Sequence, residues 1–302
     1  MEPEISVIMP VYNVDNYVFD SMQSILCQTF ENFEFIIIDD ASQDGTYEII
    51  KQFHDSRIIN LQNNTNMGIA ATLNKGLKIA RGKFIIRMDG DDISKPNRLK
   101  KQLDFMKANP DLIISGTHMD LINSDGDFIR QQKKRIGTEK VRLGLFFGHT
   151  SLAHPSIIMR KDLLDSFCIQ YDSAFQYAED YDLYCRSIQY ASMDNIDESL
   201  IQYRIHDESV SRKHSLQQQV DAKVALYLHL RRLRLPFTLE QFKIHSKIAM
   251  NDKTFTPSID EIKLWFNHLQ KWNQENNYFQ KKLFEEYCFL QQNAIIQKRG
   301  IS

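Results

Sequence analysis

Phe84-Ile-Ile-Arg-Met88 runs straight into Asp89-Gly-Asp-Asp92. A short apolar run bounded by polar residues reads as a buried strand, and the carboxylates that follow leave the sheet at its carboxyl end. The same arrangement occurs upstream, where Phe35-Ile-Ile-Ile38 leads into Asp39-Asp40 and then Ala41-Ser-Gln-Asp-Gly45. Further runs at Ile5 to Met9, Ile58 to Leu61 and Leu112 to Ile114 read as strands, the first stopped by Pro10. Between them the apolar period becomes helical. Val18, Met22, Ile25 and Leu26 share a face, then Thr46, Ile49, Ile50 and Phe53, then Ile69, Leu73, Leu77 and Ala80. After Pro96 the pattern resumes with Leu99, Leu103 and Met106 until Asn109-Pro110 stops it.

This βαβαβ order, with crossovers long enough for helices, predicts an α/β fold with a largely parallel sheet covered on both faces. Ligands gather outside the carboxyl ends of such strands, where both acidic clusters lie. Ile122-Asn-Ser-Asp-Gly-Asp-Phe-Ile129 reads as a hairpin turning at Asp125-Gly126. From about residue 215 turn signals thin out, which predicts a helical appendage over 215–302 behind a main unit of 1–214. No repeat of fixed period is present, so solenoids and propellers are disfavoured.

The chain has 302 residues, 42% hydrophobic and 25% charged, enough for a sizeable core and incompatible with wholesale disorder. Lys and Arg (37) nearly balance Asp and Glu (39), so no global field holds nucleic acid and charge-driven recognition is local. The four cysteines, Cys27, Cys168, Cys185 and Cys288, are scattered, which suits a reducing compartment and disfavours structural zinc. Met1-Glu-Pro-Glu4 is acidic and no apolar stretch approaches the roughly 18 residues of a span, which predicts a cytoplasmic protein.

Asp39-Asp40 alone reads as a solvated turn. Its recurrence as Asp89-Gly-Asp-Asp92 at the same edge changes that reading, because crowded carboxylates repel unless a cation or donors sit among them. A hard divalent ion, Mg or Mn, meets the need and leaves positions for phosphate and water. Other phosphate and catalytic motifs fail on spacing: there is no GxGxxG, no complete Walker or calcium loop, no GxSxG and no HExxH. Ala178-Glu-Asp-Tyr-Asp182 opens a helix, where its carboxylates either complement the macrodipole or accept a proton from an incoming hydroxyl. Tyr203-Arg-Ile-His-Asp-Glu-Ser-Val-Ser211 reads as a loop able to close over a diphosphate. In it Arg204 is a permanent cation, and His206 is a metal ligand, a proton-dependent cation or an ordinary surface or core histidine.

Seven strings resemble family 2 glycosyltransferases of the GT-A fold in order and spacing: Val7-Ile-Met-Pro-Val-Tyr-Asn13, Ile38-Asp-Asp-Ala-Ser42, Asn66-Met-Gly68, Arg87-Met-Asp-Gly-Asp-Asp92, His154-Pro-Ser156, Ala178-Glu-Asp-Tyr-Asp-Leu183 and Tyr203-Arg-Ile-His206. The resemblance covers roughly the first 210 residues. It implies a nucleotide-binding part over about 1–115 and an acceptor part over about 116–214. It also implies transfer of a sugar from a nucleotide-diphosphate donor, a UDP-sugar, to a hydroxyl with inversion, and a Mn or Mg ion on the diphosphate. By the same resemblance Asp40 accepts the uracil N3 proton, while Pro10, Tyr12 and Asn13 line the nucleoside, and Gly68 of the third string is expected among the donor-binding residues. Asp89 reaches the ribose, Asp91 coordinates the metal in the DxD motif, and Asp180 is the general base; the reading of the 203–211 loop adds Arg204 at the diphosphate and His206 at the metal. His154 begins an acceptor-side or phosphate-side loop. Where many relatives carry an arginine, this chain has Leu73.

Two other readings compete: a nucleotidyltransferase, whose glycine-rich basic signature is replaced here by Met9-Pro-Val-Tyr12, and an inactive sugar-nucleotide-binding scaffold. The acceptor is expected to be a glycan or lipid-linked glycan in surface polysaccharide or lipopolysaccharide assembly. Lys223, Arg231, Arg232 and Arg234 alternate with Val220, Val224, Leu226, Leu230, Leu233 and Leu235. Such a helix either packs on its own domain or lies peripherally on anionic lipid, at the cytoplasmic face of the inner membrane. Trp265, Phe266 and Trp272 are read as core.

Overall fold

The computed structural model describes residues 2–206, 215–250 and 256–297. Strands β1 (Ile5–Val11), β2 (Phe33–Asp39), β3 (Ile58–Gln62) and β4 (Phe84–Arg87) are parallel in the order β3-β2-β1-β4. Helices α1 (Val18–Leu26), α2 (Thr46–Ile50) and α3 (Ile69–Ile79) make the crossovers. Every residue of β1, β2 and β4 is buried, which is why these strands read as unbroken apolar runs rather than alternating ones. The chain winds outward from β1 through β2 to β3 and then returns to place β4 on its other side. The carboxyl ends of β1 and β4 therefore flank a topological switch point, where α/β sheets open a crevice.

The other half of the sheet is mixed. Strand β8 (Ile158–Arg160) runs antiparallel to β4 and to β6 (Leu112–Ile122), while β9 (Ser192–Arg204) is parallel to β6. Short β5 (Ile93–Ser94) pairs antiparallel with β9, and the expected hairpin joins β6 to β7 (Phe128–Gln132) with Gly126 at φ 93°. Strand β9 was not legible beforehand. Its pairing with β6 shifts register near Thr117 and His118, so buried positions do not alternate along it. The segment read as a loop from Tyr203 thus begins as strand through Arg204, and its continuation from Asp207 to Ser211 lies outside the described residues.

Helices α4 (Arg98–Ala108), α5 (Thr138–Phe146), α6 (Lys161–Ser166) and α7 (Glu179–Ser187) complete this unit. Four more follow: α8 (Ser215–Arg232), α9 (Leu239–Met250), α10 (Ile259–Asn276) and α11 (Lys281–Gln297). One face of the sheet packs a cluster with Val18, Met22, Leu99 and Leu103. The opposite cluster continues from Ile8 and Ile38 through Phe146 and Phe147 to Trp265, Trp272 and Phe284. The tryptophans are core, as expected, and Phe146 stacks on Trp272 with ring centroids 5.8 Å apart. In α8 and the turn after it, Leu226, Leu230, Leu233 and Leu235 face this core, whereas Val220 and Val224 are exposed. No described helix is long and apolar enough to cross a membrane.

Candidate active site

The switch-point crevice is built by loops leaving β1, β2 and β4. Asn13, held at φ 52°, donates its backbone N–H to Ser42 Oγ (2.9 Å) and accepts the Gln43 N–H on Oδ1 (2.8 Å). These bonds staple the end of β1 to the end of β2. Pro10 is buried within β1 beside Ile38, and Tyr12 stands exposed at the crevice. Asp40 is buried and accepts three donors: Asn63 Nδ2 (2.7 Å) and the backbone N–H groups of Met67 and Gly68 (both 2.9 Å). A carboxylate has about four acceptor positions, so three donors leave Asp40 anchoring the 63–68 loop with acceptor capacity to spare. Gly68, at φ 82°, gives the turn into α3 a conformation that side chains resist.

Asp89, Asp91 and Asp92 bring three carboxylate oxygens within 4.8 Å of one another. Arg87 holds Asp89 with two guanidinium nitrogens, the bond from Nη1 measuring 2.6 Å. Asp89 is pushed up to about 6 by burial, against the pull of Arg87 and with the charge of Asp91 adding to the rise. Asp91 Oδ2 lies 2.9 Å from His206 Nε2. Asp92 is fully buried; Oδ1 accepts the Arg204 N–H (2.9 Å), and among the described residues Oδ2 has no partner. Burial and then the charges of Asp91 and Asp89 hold this carboxyl well above the usual carboxylate range. An orphaned buried oxygen beside two further carboxylates and an imidazole is a donor set that fits a hard divalent cation.

Arg204 gives Nε to the Asp91 carbonyl (2.9 Å) and Nη1 to the Ser124 carbonyl (2.8 Å), tying the β6–β7 hairpin to the acidic turn. Its guanidinium lies over the Tyr17 ring at 4.7 Å, and the same ring packs on His206 at 5.0 Å. Asp180 opens α7, accepting the Tyr181 N–H on Oδ1 (2.7 Å). Burial raises its pKa, while that N–H, Arg87 and Lys134 act against the rise. Glu179 beside it is pushed up to about 8, first by burial and then by the charge of Asp180. The 3₁₀ turn His154–Ser156 sits behind: His154 Nε2 meets the Tyr171 hydroxyl at 2.9 Å.

Residues 6–167, more than half of the chain, match the family model described as Glycosyl transferase family 2. The chain belongs to this family. It is 37% identical to the O-antigen biosynthesis glycosyltransferase WbnJ of Escherichia coli, over 69% of this chain and 82% of that one. It is 30% identical to WfgD of the same species, a UDP-Glc:alpha-D-GlcNAc-diphosphoundecaprenol beta-1,3-glucosyltransferase, over 68% of this chain and 79% of that one. Residues 1–349 of Staphylococcus aureus TarS, solved in complex with UDP-GlcNAc, superpose with a TM-score of 0.64 at 18% identity, covering 97% of this chain and 89% of that one. That likeness shows the GT-A fold.

In this glycosyltransferase several site residues escaped the sequence reading. Arg87 carried the clearest signal, because a charge inside a strand buried on both faces requires a counter-charge. Arg98 is fully buried, with Nη2 bonded to the carbonyls of Arg87 (2.7 Å) and Pro155 (2.8 Å), joining β4 to the 154–156 turn. Burial lowers its pKa to about 9, although Asp92 nearby favours the charge. Tyr17 and Asn63 gave no signal, since their partners lie far along the chain. Leu73 is buried in the core, and the neighbouring Asn74 is bonded in both directions to the Tyr171 backbone.

Proposed function

We propose that this enzyme is an inverting, metal-dependent transferase that moves a sugar from a UDP-sugar to a hydroxyl of a glycan or lipid-linked glycan in surface polysaccharide assembly. The observation that carries this reading is the meeting of Asp91, Asp89, Asp92 and His206 in one cluster, with an orphaned buried oxygen, at the switch point. The names of WbnJ and WfgD and the ligand of TarS support the substrate class. Asp91 with His206 would hold Mn or Mg, which when bound offsets charge developing on the leaving diphosphate.

Asp180 is proposed as the general base. The acceptor oxygen bonds to the anomeric carbon as the bond from that carbon to the diphosphate oxygen breaks; UDP leaves with the electron pair, and the hydroxyl proton passes to Asp180. Lys134 and Arg87 favour the ionised form of Asp180 that this step needs. Asp40 offers its remaining acceptor position to the uracil N3–H, which cytosine lacks. Pro10, Tyr12, Asn13 and Gly68 frame the nucleoside, Asp89 lies toward the ribose, and Arg204 positions the acidic turn beside the diphosphate.

A thermal-shift titration tests the assignment. UDP with Mn should raise the melting temperature, whereas CDP with Mn or UDP in chelator should not. Asp91→Ala should lose the response. Asp180→Asn should keep it and lose turnover by about 10²-fold or more. A UDP response that survives both chelator and Asp91→Ala would overturn the metal assignment.

A further inference from the structure

A cleft of about 700 Å³ is walled by residues 132–135 at the end of β7 and by residues 148–151 after α5, and one of its lysines, Lys134, feels the charge of Asp180. Lys133, Lys134 and Arg135 place three successive cationic side chains on it. Among the described residues, none of these side chains has a carboxylate within 4.0 Å. Lys133 is exposed, and Lys134 is half-buried. Burial lowers the pKa of Lys134 while Asp180 acts to raise it, so the ammonium sits within electrostatic reach of the proposed base. His149 on the facing wall is pushed down to about 4 by burial and then by Arg135, so it supplies a neutral imidazole and not a charge.

Both walls are held in place. The Lys134 backbone N–H donates to His118 Nδ1 (3.2 Å), and the Arg135 carbonyl accepts Asn195 Nδ2 (2.7 Å). Arg135 Nη2 reaches the Tyr287 hydroxyl of α11 at 3.2 Å. Opposite, Gly148 at φ 70° presses so closely on α9 that a Cβ there would lie 2.6 Å from the Ala249 Cβ. A preformed wall bearing three cations, with no carboxylate at ion-pair distance among the described residues, is stabilised by an anion, and planar guanidinium with two ammonium groups matches phosphate oxygens better than a lone carboxylate.

We propose that this cleft is the acceptor site and that it selects an acceptor carrying phosphate, paired with Lys133, Lys134 and Arg135 next to the attacking hydroxyl. The inference rests on the reading of Asp180 as the base. The phosphate belongs either to the diphosphate of a lipid-linked acceptor or to a phosphodiester within a polymer.

Calorimetry on the full chain, with UDP and Mn saturating the donor site, separates these sources by titrating farnesyl diphosphate, a glycerol-phosphate oligomer and neutral maltotriose. At least one phosphate probe should bind about tenfold or more tighter than maltotriose, and added salt should weaken that preference. The tighter phosphate probe identifies the source. Lys133→Gln with Lys134→Gln should abolish the preference at an unchanged melting temperature, and Lys133→Glu, at an exposed position, should reduce it without risk to folding. Equal binding of all three probes, or a preference that survives these substitutions, overturns the proposal. Failure of UDP to bind in the preceding titration would instead overturn the donor-site reading.

Discussion

Glu179 and Arg98 illustrate how burial sets the chemistry of single residues around the site. Between its ordinary 4.5 and about 8, native Glu179 retains a proton that the unfolded chain has released. Fewer protons are bound in the unfolded state over that window, so the stability this group contributes falls as pH rises. Glu179→Gln, unfolded in urea and chelator, should therefore lose less stability than the parent between pH 5 and pH 8. An identical slope in both proteins would show that Glu179 ionises freely. Arg98 presents the opposite case, a buried cation with hydrogen bonds to Ser94, Gln102, Arg87 and Pro155. Arg98→Leu leaves those acceptors unpaired and Asp92 without its nearby cation, and should cost about 3–5 kcal/mol in urea unfolding.

At the scale of elements, the acidic turn after β4 owes its position to a contact with the end of β1. A Cβ on Gly90 would fall 2.6 Å from Val11 Cγ1 and 3.2 Å from Val14 Cγ2. The glycine between Asp89 and Asp91 thus lets the turn close onto β1, and valine, stiff at χ1, has little room to yield. Gly90→Ala should push the carboxylates away from the nucleoside loop. The expected outcome is a UDP response weakened about tenfold or more at a stability loss of about 1–3 kcal/mol. A variant that binds UDP and Mn as the parent does would show that the turn adapts. Strand β9 shapes the same turn from the other side, since its last residue bonds both Asp92 and the Asp91 carbonyl.

Across the whole molecule, the helices after residue 215 share one apolar cluster with the sheet. Phe146 and Phe147 meet His245, Trp272, Phe279 and Phe284, and His245 Nε2 donates to the Phe146 carbonyl oxygen 2.8 Å away. Such continuity predicts that both regions unfold together. Trp272→Ala should destabilise by about 3–5 kcal/mol and lower a single transition seen identically by fluorescence and circular dichroism. Two separated transitions would show that the helical region folds independently. The same packing supports the cleft wall, because residues 146–149 continue directly from the aromatic cluster.

Contiguous residues carry local preferences, and so the sequence by itself determined the parallel strands β1 to β4, their crossover helices, the acidic turns at the strand ends and the start of α7. Patterns of this kind need only hydrophobic period and turn chemistry. Tertiary structure decided the rest: that Asp40 closes on Gly68, that Arg204 bonds Asp92 across 112 positions, and that Lys134 comes within electrostatic reach of Asp180. Partners so distant are chosen by sheet order and by irregular register along β9, neither of which leaves a period in the chain. Burial acts likewise. The charge state of a carboxyl depends on the dielectric and the neighbours that folding assembles around it, and residue type alone does not contain them.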